Sequence, residues 1–173
     1  MSAARPRSIA LVAGAVGGAA AALAMIGWAS VAADPVGRLG EALGFLAALV
    51  IAEAGTRAIG RIAPAFAERL AGAALLAIVE GGVAATGAYL LFARLRPGLL
   101  AARHAAAVAA AKASTAAGAA AELARLEAGR AQSLDPLYQA VSLGGLICFF
   151  GLLLGAYGAF RAQVARRYRM PVD

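Results

Sequence analysis

Cysteine, histidine and tryptophan occur once each in this 173-residue chain. A single cysteine, Cys148, excludes an internal disulfide, and one cysteine with one histidine excludes a zinc site built by this chain alone. Cys148 lies in an apolar run, where it is expected to act as a small buried hydrophobe. Acidic residues are few, nine against sixteen lysines and arginines, which leaves a formal net charge of +7. No phosphate-binding glycine loop, HExxH, CxxC or EF-hand loop is present. Ser114, Thr115 and Ser133 lack the His/Asp arrangement that would activate a hydroxyl. The expectation is a protein that is not an enzyme and that holds no cofactor and no metal.

Strand-like alternation of apolar and polar residues is missing throughout, so the expected fold class is all-α. What the chain has in abundance is apolar surface: hydrophobic residues make up 62 % of it. Much of that is alanine and glycine, which let helix backbones approach closely, as helix bundles in membranes prefer. All six prolines fall at plausible boundaries, because proline is tolerated in the first turn of a helix and breaks its interior. Asp34-Pro35 and Asp135-Pro136 read as helix starts, with Asp as N-cap and Pro at the first helical position. The punctuation gives helical segments over 7–33, 36–62, 65–94, 98–132 and 137–169.

These segments form a single domain over 1–173, an integral membrane bundle with about four transmembrane helices. The expected spans cover 8–33, 40–60, 70–93 and 137–160, each close to the ~20 apolar residues that cross a bilayer. The first ends in Ser30-Val31-Ala32, which resembles a signal-peptidase site, but its apolar run is far longer than a signal core of roughly 7–15 residues. An uncleaved span is therefore expected. Segment 36–62 is ambiguous, because its charged end suits either a span or a helix lying in the interface. Segment 98–132 carries Arg103, His104, Lys112, Glu122, Arg125, Glu127 and Arg130, so it is expected as one long Ala-rich helix outside the membrane, up to ~50 Å in length.

Charge placement sets the expected topology. With four spans, Arg5, Arg7, Arg57, Arg61, Arg69, Arg161, Arg166, Arg167 and Arg169 share one side, and seven of the sixteen basic residues lie on the other. By the positive-inside rule both termini are expected to be cytoplasmic, and the high Ala, Gly and Arg content suggests a bacterial inner membrane. The tail over 161–173 reads as a lipid head-group anchor built from Arg161, Arg166, Arg167 and Arg169. No aromatic-interleaved basic face points to nucleic acid, so the expected partners are the bilayer and other membrane subunits, and a homo-oligomer also fits.

Glu80 is the residue that stands out, the one charge in the run from Leu70 to Phe92. A carboxylate at that depth is expensive, so it is protonated, paired or set in a cavity, and it is a candidate for proton or ion handling or for a partner contact. In a hairpin about Pro64 it is expected to face Ala47, with Gly81 and Gly82 giving room beside it. Gly14 with Gly18 and Gly151 with Gly155 are GxxxG pairs expected in helix packing. Glu53 and Arg57 are placed for an interfacial i,i+4 ion pair. His104 sits among alanines, as a pigment or haem ligand would, but its charged neighbourhood favours a surface histidine. The function these readings favour is a non-catalytic accessory, assembly or scaffold subunit of a larger membrane complex. The alternative is a small proton- or cation-conducting channel or carrier that uses Glu80.

Overall fold

The computed structural model describes residues 4–32 and 38–168, and among them the only regular structure is helical. Four helices are long and apolar enough to cross a membrane: α1 (Ala4–Val31), α2 (Leu39–Ile62), α3 (Phe66–Leu90, extended by a π-helical turn over Leu91–Leu95) and α7 (Pro136–Tyr168). The segment left ambiguous by the sequence is thus a helix over Leu39–Ile62, packed within the bundle and long and apolar enough to span a membrane. Two expectations, the Asp34-Pro35 start and Arg169, lie outside the described residues.

Why α7 begins where it does is visible locally. The Asp135 carboxylate accepts from Leu137 N–H at 2.8 Å and Tyr138 N–H at 3.3 Å, and Pro136 occupies the first turn, where its missing N–H costs nothing. At the α2–α3 turn the cap comes from elsewhere. Arg69 donates Nε to Ala63 O at 3.0 Å and Nη2 to Pro64 O at 2.8 Å. From α7, Arg166 donates to Pro64 O at 3.0 Å, Ala63 O at 3.1 Å and Gly60 O at 3.3 Å. Two guanidinium groups therefore satisfy the carbonyls that the end of α2 leaves open, and cations are favoured at that helix terminus.

Packing between helices is set by what glycine leaves out. A Cβ on Gly14 would stand 2.7 Å from Leu76 O, and one on Gly18 2.6 Å from Glu80 O, so α1 lies directly on the backbone of α3. On the other side of α3, a Cβ on Gly155 would meet Ala73 Cβ at 2.6 Å and one on Gly81 would meet Gly144 O at 2.5 Å. The pairings run with the numbering between α1 and α3 and against it between α3 and α7. Helix α3 is the centre of the bundle, with α1 parallel to it on one side and α7 antiparallel on the other. Helix α2 is antiparallel to α1, with Gly44 on Ala21, and parallel to α7, with Thr56 on Gly158. The first residues of α1 and the last of α7 consequently lie at one end of the bundle. Arg57, Arg61, Arg69, Arg161 and Arg166 gather there too.

The region expected as one long helix is not one. It folds as α4 (Leu99–Ala113), α5 (Ala119–Ala128) and the short α6 (Arg130–Leu134). The break falls at Ser114, whose extended backbone ends α4 and whose hydroxyl accepts from Ala116 N–H at 3.2 Å. Such local bonds compete with the helix ladder, and Gly118 and Gly129 add two weak helix formers. High alanine propensity does not override three such positions. The result is a folded-back cap at the end opposite the termini. Leu99 and Leu100 are buried there with Met25, Ala29, Leu91 and Phe92.

Candidate functional site

Glu80 sits halfway along α3, on the face that touches both α1 and α7. Its exposure is 0 %. The notch that holds it is made by glycines from both neighbours. A Cβ on Gly17 of α1 would overlap Oε1 and stand 2.9 Å from Cδ, and a Cβ on Gly151 of α7 would lie 3.7 Å from Oε2. The expectation set Glu80 near Ala47 of α2, whereas the glycine contacts that define its notch come from α1 and α7. The i,i+4 rhythm of glycines on α1 and α7 brings those two helices over it instead.

Among the described residues, neither carboxyl oxygen of Glu80 has a hydrogen-bond partner. An ionised carboxylate without a counter-charge or donor is strongly disfavoured in such surroundings, so the site suits a neutral carboxyl. That form carries one O–H donor and accepting oxygens, enough to hold a proton or to bond a small polar partner admitted between the helices. Sequence reasoning had drawn attention to Gly81 and Gly82 beside it. Only Gly81 is in a close contact, against Gly144 and Cys148, while a Cβ on Gly82 would meet nothing within 4 Å.

Of the other singled-out residues, Gly18 and Gly151 touch Glu80 itself and the rest lie apart from it. Gly14 and Gly18 line the α1–α3 seam, and Gly151 and Gly155 the α3–α7 seam, where Gly151 would meet Ala77 Cβ at 3.0 Å. Glu53 and Arg57 form their i,i+4 ion pair at 2.8 Å near the arginine-rich end. Arg166 is engaged on the carbonyls at the end of α2, and Arg167 is exposed one residue on. His104 lies outside the four-helix bundle. It is half-buried in the cap, its Nδ1 without a partner, beside a hollow of about 90 Å³ shared with Arg38, Ser133 and Gln139. Among the described residues no group of His, Cys, Asp and Glu is placed to hold a metal ion.

Three polar residues in the interior or at its ends were not singled out in the sequence. Arg69 is 1 % exposed and ties the α2–α3 turn to Gln163 at 3.3 Å. Thr56 is buried against Gly158. Arg103 of α4 pairs with Glu41 of α2 and lies 5.6 Å over the Phe92 ring, so a charge expected to face solvent clasps the cap to the bundle. The only prior signal was position. Glu41 and Arg103 each lie near the start of an apolar helix, at ends that the four-helix topology brings together. No protein-family model, characterised protein or solved structure matches this chain.

Proposed function

We propose that this chain is a non-catalytic integral membrane protein, acting as an accessory or scaffold subunit around which other membrane subunits assemble. The observation that supports this reading best is the distribution of bulk. The helix seams are made mostly of glycine and alanine, with a few larger residues such as Ile59, Leu76 and Ile147 inside, while many large apolar side chains, among them Leu23, Leu46, Val50, Ile78, Phe149 and Phe160, point outward. A bundle of this kind presents its specific shape to what surrounds it, which is lipid and neighbouring helices. The arginine-rich end supports a cytoplasmic location for both termini, in the manner of a bacterial inner-membrane protein. Native mass spectrometry after gentle extraction from the source membrane tests the reading. Co-release with a fixed set of other subunits supports it, and a bare monomer or closed homo-oligomer overturns it.

A second reading has one observation in its favour, the two unpartnered oxygens of Glu80. In it the protein is a small channel or carrier that moves protons or a cation through that carboxyl. Proton or cation flux in proteoliposomes, lost in Glu80→Gln with assembly intact, would establish this reading. Tight liposomes with the native protein would dismiss it.

A further inference from the structure

We propose that the cleft between α2 and α7 at the arginine-rich end is a binding site for an anionic phospholipid. The phosphate sits at Arg57 and Arg61, and an acyl chain runs along Leu49, Val50 and Leu154. The inference rests on the membrane location proposed above.

The two helices run parallel and touch at two levels. Thr56 meets Gly158 near the arginine-rich end, where a Cβ on the glycine would stand 2.5 Å from the threonine methyl. Two to three turns further in, the Phe45 and Phe150 rings meet edge to face at 5.4 Å. Between and outside these contacts lies an open cleft of about 620 Å³, lined by Leu49, Val50, Glu53, Arg57, Arg61 and Leu154. Its polarity changes along its length: Arg61, Arg57 and Glu53 stand toward the end of the bundle, and Leu49, Val50 and Leu154 lie further in. That gradient matches an amphiphile lying parallel to the helices, with its head group at the interface. A partner helix would be apolar along this whole face, and a free anion would make no use of the apolar half.

Charge supports the same occupant. Glu53 is in the cleft, but Arg57 Nε neutralises it at 2.8 Å, and the rest of that guanidinium, half exposed, keeps donors for a second acceptor. Arg61 follows one turn on and is exposed. On the α7 side, Tyr157 and Arg161 share a hollow with Glu53 and Arg57. Guanidinium groups bind phosphate in a forked geometry, and basic pockets between helices at the cytoplasmic side are where anionic head groups bind. Arg69 and Arg166, two further cations of this end, are engaged on backbone carbonyls, which leaves Arg57 and Arg61 as the cations that line the cleft.

The test is lipid retention by the full chain in native mass spectrometry, after exchange into detergent with equal amounts of phosphatidylglycerol and phosphatidylcholine. Preferential retention of phosphatidylglycerol is expected, falling about tenfold or more in the Arg57→Gln/Arg61→Gln double variant, as the loss of two interfacial charges implies. Arg94→Gln/Arg96→Gln, at the other end, should retain it like the native chain. Arg57→Lys/Arg61→Lys, which keeps the charge, should retain most of it. Equal retention of the two lipids by the native chain overturns the proposal and needs no variant to do so. Displacement of the lipid by millimolar inorganic phosphate also overturns it, because the acyl chain would then contribute nothing. Retention of neither lipid overturns both this proposal and the membrane reading, whereas equal retention leaves the membrane reading standing.

Discussion

Glu80 and Gly17 define each other. The glycine exists as a notch only because a carboxyl fills it, and the carboxyl is sealed only because the glycine has no Cβ. Gly17→Ala is therefore an overpacking change and should destabilise the bundle by about 1–3 kcal/mol, read as a lowered melting temperature in detergent. The same change made on Glu80→Ala should cost clearly less, because the side chain it collides with is gone. That difference, a coupling of about 1 kcal/mol or more in a double-mutant cycle, tests the contact itself. Additive effects would show that Gly17 and Glu80 do not touch. Gly82→Ala is the contrast: with nothing within 4 Å of its Cβ, it should be neutral or stabilising by up to about 1 kcal/mol. Two glycines in neighbouring helices thus respond in opposite directions, for reasons that lie across the interface and not in their own helix.

The elements show where the sequence was readable and where it was not. The start of α7 could be read from Asp135-Pro136, because an N-cap is a local bond between a side chain and the next two amides. Asp135→Ala should cost about 1 kcal/mol of stability, and a melting curve unchanged from the native one would rule the cap out. The end of α2 could not be read, because its carbonyls are satisfied by Arg69 and by Arg166, more than one hundred residues away. Likewise the break at Ser114–Gly118 was hidden by the alanines around it, whose propensity outweighs any single weak residue. Glu80 was legible as an anomaly, one charge in an apolar run. Its surroundings were not, since the order of helices around α3 depends on glycine seams that hydropathy alone does not order. Arg69→Met tests the non-local cap. It keeps the bulk of the stem and removes donors to Ala63 and Pro64, and it should destabilise by about 1–3 kcal/mol. Arg166 still reaches both carbonyls, so a loss above that range would mean the two arginines act as one network and not as duplicates.

The four-helix bundle and its cap are joined by two kinds of contact, and their relative strength decides whether the cap behaves as part of the bundle. One is apolar: Leu99 and Leu100, each 5 % exposed, close the end of the bundle over Phe92 and Met25. The other is the clasp of Arg103 on Glu41, with side chains 15 % and 16 % exposed, stacked over Phe92. Truncating a buried leucine removes transfer energy and leaves a cavity, a loss of about 2–5 kcal/mol. Neutralising one partner of a largely buried ion pair removes a charge-assisted hydrogen bond and leaves the other charge poorly matched, a loss of about 1.5–3 kcal/mol. Leu100→Ala should therefore loosen the cap more than Glu41→Gln. The readout is hydrogen exchange of the α4 amides, with tryptic cleavage after Lys112 as an independent probe, while the amides in the middle of α3 stay protected in both variants. If Glu41→Gln frees α4 as much as Leu100→Ala does, the clasp and not the leucine pair holds the cap. Arg103 would then be the residue through which the cap and the bundle are coupled.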